Sequence, residues 1–231
     1  NGVHAYKLVN AQGEVHYVKF HWKSLQGLKN LDPKQVAQVQ GKDYSHLSND
    51  LIGAIKQGDY PKWDLYIQVL KPEDLAKFDF DPLDATKIWP DVPERKIGQM
   101  VLNRNVDNFF QETEQVAMAP ANLVPGIEPS EDRLLQGRLF SYADTQLYRV
   151  GTNGLSLPVN RPRVAVDNGN QDGSMNSGAS ASGVNYEPSR LAPRPQDPTA
   201  RYSQLPLSGT TQQAKIAREQ NFKQAGDLFR S

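Results

Sequence analysis

Three residues stand out for the chemistry their types and spacing allow: Arg138, Tyr142 and Arg149, separated by four and then seven positions. On an α-helix those offsets are close to whole turns, so the three side chains share one stripe. A phenol ordinarily keeps its proton until about pH 10, and an opposite charge beside it favours the ionised form. Arg138, one turn before Tyr142, is placed to hold a phenolate, a hard anionic oxygen ligand for ferric iron. Arg149, about two turns further on, is placed to meet a carboxylate in the two-pronged geometry that a guanidinium favours. Tyrosinate on iron together with arginine on a carboxylate describes a haem held from its proximal side. The plainer reading is an amphipathic surface helix with charges toward water and an incidental tyrosine, and spacing alone favours it.

The full string, Arg138-Leu139-Phe140-Ser141-Tyr142-Ala143-Asp144-Thr145, shifts that balance. It resembles the proximal haem helix of the haem catalases, Arg-Leu-Phe-x-Tyr-x-Asp-Thr, with a second arginine seven residues after the tyrosine. The resemblance implies that Tyr142 is the axial iron ligand, the tyrosine ligation known for catalases. It implies that Arg138 bonds the phenolate oxygen, tempering its push of electron density onto the iron, and that Arg149 contacts a haem propionate. Met118, Pro120 and Leu134 are implied to touch the porphyrin, with Met118 standing where the family often has an aromatic residue.

Further blocks follow in the family's order. Leu102-Asn103-Arg104-Asn105-Val106-Asp107-Asn108-Phe109-Phe110 is similar to the family's LNRNP-x-NYF segment, with Val106 in place of proline. Glu114 to Met118 and Asn122 to Glu128 continue the match into the haem helix without a gap. Tyr6 to Asn10, Lys19 to Lys23, Tyr66 to Val69, Ile88-Trp89-Pro90 and Pro158 to Pro162 correspond as well. So does Asp172-Gly173-Ser174-Met175, the family's Asp-Gly-x-Met.

A catalase also needs a distal histidine and asparagine, and the resemblance puts both on a segment amino-terminal to Asn1. The chain is thus expected to be the middle and proximal part of a larger enzyme. Its histidines are His4, His16, His21 and His46. Val3-His4-Ala5 mimics the distal Val-His-Ala signature but lacks the arginine and glycines that follow it there. His4 instead falls where the family has an ordinary strand residue. His16 and His21 lie in a strand pattern and His46 precedes a helix, so all three read as core or surface residues.

The elements that must position the stripe are strands first, then helices. Tyr6 to Ala11 and Val15 to Ser24, joined at Gln12-Gly13-Glu14, read as a hairpin. Asp64 to Lys71 and Met100 to Arg104 are two more expected strands. Between them, 33–57 is helix-compatible, with Leu47, Leu51, Ile52 and Ile55 as an apolar stripe. Ser130, with Glu131 and Asp132 behind it, is the expected cap of the haem helix. Four strands alone make a poor sheet with open edges. The resemblance makes them the second half of an eight-stranded antiparallel barrel in an α+β fold with a long wrapping arm and helices. The divisions expected are 1–105 for the barrel half, 106–208 for the wrapping domain with the haem helix, and 209–231 for the start of a terminal helical domain. From Gly151 to Ser208 the chain is rich in Gly, Pro, Asn and Ser without periodicity. By composition that is a disordered linker; by resemblance it is an arm threading around neighbouring subunits of a homotetramer. Thr211 to Arg230 reads as a helix.

Composition agrees. With 26 basic and 26 acidic residues there is no electrostatic case for nucleic acid or an anionic membrane. There is no run of eighteen apolar residues, the length a bilayer-spanning helix needs. The absence of cysteine excludes disulfides, thiolate metal sites and a thiol nucleophile within these residues. Some catalases bind NADPH, and Lys23 and Trp89 match residues of that site. Asp91, where those enzymes place a histidine, would repel a phosphate, and there is no glycine-rich phosphate loop. A bound dinucleotide is therefore not expected. The function implied is haem-dependent disproportionation of hydrogen peroxide to water and oxygen, in a bacterial cytoplasm or periplasm. The alternatives are a catalase-fold hydroperoxide dehydratase and a non-catalytic haem-binding fragment.

Overall fold

The computed structural model describes residues 2–163, 190–191, 203 and 221–230. The Asp172 to Met175 piece, most of the 151–208 arm and the 211–220 part of the expected terminal helix lie outside the described residues. An antiparallel sheet carries the architecture. Its strands are β1 (Gly2–Val9), β2 (Val15–Ser24), β3 (Lys62–Leu70), β4 (Arg95–Val101) and β5 (Ile127–Pro129), in the order β4-β3-β2-β1-β5. Helices α1 (Pro33–Lys42), α2 (His46–Gln57), α3 (Arg133–Val150) and α4 (Lys223–Arg230) complete the described elements, with short helical turns between them.

The hairpin forms as expected, with Val9 paired to Val15 across the turn. The Asn10 carboxamide oxygen accepts the backbone N–H groups of Gln12 and Glu14, and Gly13 sits at φ +82°. Only glycine takes that conformation without a steric cost. The helical region is two helices, not one, divided at Asp43, and its apolar stripe stays largely at the surface, with Leu47 79% exposed. The fourth strand is Arg95–Val101, several residues before the expected Met100–Arg104. Its sequence holds a central glycine and no clean alternation, so the pairing partner sets it: Met100 lies against Trp63 and Lys96 against Tyr66. The fifth strand was not expected. Three residues ending in proline carry no strand signal, and they pair because Lys7 and Glu128 meet in register.

One side of the sheet is covered by the segment 71–93. Trp89, 1% exposed, packs with Ala5, Tyr17, Leu70 and Leu83, and Leu75, Phe78 and Val92 close around them. An aromatic side chain buried this fully contributes on the order of 5 kcal/mol of transfer free energy, as an upper figure. Polar groups in the layer are satisfied, as burial demands. The Trp89 indole N–H donates to the Pro82 carbonyl at 2.8 Å, and the Gln68 amide donates to Trp89 and Val92 carbonyls at 2.7 and 2.6 Å. Lys19 runs through this layer, its ammonium 2.6 Å from the Lys87 carbonyl and 5.0 Å from the Trp89 ring centre.

Candidate functional site

Helix α3 carries the stripe, and its start is tied to the sheet residue by residue. The cap is Asp132, not Ser130: the Asp132 carboxylate accepts the backbone N–H groups of Leu134 at 2.9 Å and Leu135 at 3.1 Å. Ser130 is fully buried and its hydroxyl reaches back to the Ala5 carbonyl at 2.5 Å, so it stitches the helix to β1. Glu131 accepts from the Lys7 ammonium and from the Tyr17 hydroxyl, each at 2.9 Å. Burial, the bond to Glu131 and the Glu131 charge all push the Tyr17 hydroxyl well above the ordinary phenol value, so it remains a donor. Gly151, at φ +98°, ends the helix, and its N–H donates to the Leu147 carbonyl at 3.1 Å. Leu135 is the one buried residue of α3.

The expected pairing of Arg138 with Tyr142 is present: the guanidinium donates to the phenol oxygen at 2.8 Å. His4, read from the sequence as an ordinary strand residue, belongs to the same site. Its Nε2 lies 2.8 Å from the other terminal nitrogen of Arg138, and its Nδ1 lies 2.6 Å from the Asp132 carboxylate. The tautomer follows from the partners. Arginine can only donate, so Nε2 must accept, and Nδ1 carries the proton that Asp132 receives. Asp132, His4, Arg138 and Tyr142 thus form one bonded run from the helix cap to the phenol.

His4 reaches the site from β1, whose pairing with β2 shifts register between Gly2 and Tyr6. The consecutive residues His4 and Ala5 are both buried, so this part of the strand is covered on both faces. Neighbouring Tyr6 lies in the same field. Burial raises its hydroxyl above the usual value, with Arg138 opposing and Asp132 adding to the rise.

Of the remaining expected residues, Arg149 and Met118 are tied together through Gln146 at the other end of α3. Arg149 donates to the Glu114 carbonyl at 2.6 Å, to the Val116 carbonyl, and twice to the Gln146 carboxamide oxygen at 3.0 and 2.8 Å. Met118 is 76% exposed, and its carbonyl accepts from the Gln146 amide at 3.1 Å. Pro120 is half-buried further along the same segment, and Leu134 is exposed one turn before Arg138. No direct bond joins Arg149 to Tyr142 among the described residues; the stripe is shared but its two ends have separate partners. Of the residues matched to a dinucleotide site, Trp89 is in the core and Lys23 is paired with Glu94 and stacked 4.7 Å from the Tyr66 ring centre.

The donor set at Tyr142 fits haem iron. A phenol oxygen carries a guanidinium donor at 2.8 Å, and the guanidinium is itself fixed by a histidine and a buried carboxylate. That is the charge partner an anionic oxygen ligand requires.

An antiparallel sheet that brings a strand histidine to a helix bearing this run defines an α+β protein of the catalase fold. The chain belongs to the catalase family: the family model described as Catalase matches residues 1–193. The chain is 86% identical over its whole length to a catalase of Pseudomonas syringae pv. syringae and 82% identical to one of Pseudomonas aeruginosa, covering 45% of each. Against a catalase of Capsicum annuum it is 49% identical and covers 47% of that protein. Among solved structures, catalase A from Saccharomyces cerevisiae superposes on 99% of the chain with a TM-score of 0.90 and 36% identity, and 49% of that structure is covered. A fungal catalase superposes on 98% of the chain with a TM-score of 0.88. The chain therefore spans about half the length of the relatives it matches.

Proposed function

We propose that the protein disproportionates hydrogen peroxide to water and oxygen with haem bound through Tyr142, as a homotetramer in a bacterial cytoplasm or periplasm. The observation that carries this reading is the bonded run from Asp132 through His4 and Arg138 to the Tyr142 oxygen, in a chain of the catalase family. When bound, haem supplies the redox centre that one peroxide oxidises and a second reduces.

The chain's own residues set how that centre is held. Tyr142 offers the iron an oxygen on the proximal side. Arg138 places positive charge and an N–H at that oxygen, which supports its anionic form and limits how much electron density it donates. His4 accepts from Arg138 and keeps the guanidinium plane turned to the phenol. Asp132 fixes the imidazole tautomer that makes this acceptance work, a role that outer-shell carboxylates have at many metal sites. Two turns further along, Arg149 offers a haem carboxylate the one N–H left to it among the described residues, its other donors being held by Glu114, Val116 and Gln146. Leu134, Met118 and Pro120 supply apolar contact to the macrocycle.

The test is an absorption spectrum of the purified protein followed by oxygen evolution on adding peroxide, repeated with Tyr142→Phe. A Soret band with a ferric tyrosinate band and rapid oxygen release supports the reading, and both must vanish in the variant. Retained activity in Tyr142→Phe would overturn the ligand assignment. A haem spectrum without oxygen release would overturn the reaction in favour of hydroperoxide dehydration or haem binding alone.

A further inference from the structure

We infer that Gln146 is a positioning residue that presets Arg149 for its carboxylate partner, a role that rests on the haem reading above. Gln146 stands one turn after Tyr142 on α3 and is half-buried. Its carboxamide oxygen receives both Nε–H and one terminal N–H of Arg149, at 3.0 and 2.8 Å. Its amide nitrogen donates to the Met118 carbonyl at 3.1 Å. One side chain thus ties the guanidinium to the 114–118 segment, which Arg149 reaches directly through the carbonyls of Glu114 and Val116.

That segment is itself anchored. The Asn160 carboxamide oxygen accepts the Ala117 N–H at 2.8 Å, and its amide donates to the carbonyls of Gln115 and Gly154, each at 2.9 Å. Both functions of the Gln146 amide are used. The oxygen serves the arginine and the nitrogen serves a carbonyl, a division that a hydrocarbon side chain cannot reproduce.

The consequence for binding is preorganisation. A free arginine side chain loses about 2 kcal/mol of rotamer entropy when it is immobilised on a ligand. Gln146 and the two carbonyls hold Arg149 in one place beforehand, so that cost falls on folding and not on ligand capture. They occupy Nε–H, both protons of one terminal nitrogen and one of the other. Among the described residues, one N–H on the Glu114-facing nitrogen is left to meet an incoming carboxylate oxygen.

The experiment is a double-mutant cycle in the complete haem-loaded protein, reading haem transfer to excess apomyoglobin. Gln146→Met, with Gln146→Ala as a second variant, should speed haem release about tenfold, the loss expected for one set of charge-assisted hydrogen bonds. The ferric tyrosinate band should stay in place, because Arg138 and Tyr142 are not touched, whereas general loosening of α3 would move it. In an Arg149→Ala background, Gln146→Met should add nothing. Additive effects would overturn the positioning role, as would a wild-type release rate in both Gln146 variants. If Arg149→Ala alone leaves release unchanged, the carboxylate reading of Arg149 fails, and the positioning role fails with it.

Discussion

Replacing Asp132 in two ways should separate what it does for the fold from what it does for the ligand. Asp132 is 2% exposed. One carboxylate oxygen caps α3 by accepting from Leu134 and Leu135, and the other receives the His4 proton. Asp132→Ala removes the cap, at about 1–2 kcal/mol, and leaves the His4 N–H buried without a partner, at about 1–3 kcal/mol. A sum of about 3 kcal/mol lowers the thermal midpoint by roughly 6–12 °C in a domain of this size. Asp132→Asn should behave differently. Asparagine caps as well as aspartate, so its oxygen keeps both helix N–H groups, and the loss is confined to the mismatched His4 contact, about 1–3 kcal/mol. Its amide N–H₂, however, faces His4 Nδ1 as a donor. The imidazole must then carry its proton on Nε2, where it meets an N–H of Arg138 across 2.8 Å. Two donors face each other and Arg138 lets go. Scanning calorimetry and the ferric tyrosinate band, recorded on the same haem-loaded samples, read the two effects. The expected pattern is a larger midpoint drop for Asp132→Ala than for Asp132→Asn, the difference being the cap, and a shifted band for both variants. A wild-type band in Asp132→Asn would refute the tautomer argument. A loss below about 1 kcal/mol in Asp132→Ala would refute the cap argument.

Other perturbations should give equally definite results. Arg138→Ala removes the charge that supports an anionic Tyr142 oxygen, so haem stays bound but the iron reduction potential moves upward; spectroelectrochemistry showing no change would count against it. Lys19, 2% exposed, has its pKa lowered by burial from the ordinary 10.5 to about 8, against the pull of Asp132, Asp84 and Asp81. Between those values the unfolded chain holds a proton that the folded chain has lost. Stability should therefore rise across that window by up to about 3 kcal/mol, and denaturant titrations of Lys19→Met should show the rise abolished. Burial pushes the Glu131 carboxyl up, but hydrogen bonds from Lys7 and Tyr17 outweigh it and hold it below the usual 4.5. The stability it contributes is present above that value and lost as pH falls through the depressed one. Glu131→Gln should shrink the acid loss, and an acid unfolding profile identical to wild type would contradict the assignment.

The chain's sequence by itself determined whatever is local. Arg138 and Tyr142 are four positions apart on one helix, so helical geometry alone brings guanidinium to phenol, and the observed 2.8 Å bond needed no long-range information. The hairpin was equally legible, because a short polar turn joined two alternating runs. The α+β class and the family were legible from several motifs in order. Arg149 was legible only as a member of the stripe; its partners at Glu114, Val116 and Gln146 were not.

Only the tertiary structure decided the rest. The Ser130 hydroxyl was free to cap the helix until the Ala5 carbonyl claimed it, and Asp132 took the position. Strand β4 lies where β3 offers a partner, and β5 exists because β1 has an edge to pair. Above all, His4 was read as an ordinary strand residue, because alternation along a strand predicts which face is buried and not what that face will meet. His4 meets residues 128 and 134 positions away, and no periodicity in one segment encodes a contact at that separation. Local spacing specifies which groups share a turn. Which groups share a site depends on register and packing between elements, and those are settled only when the chain has closed on itself.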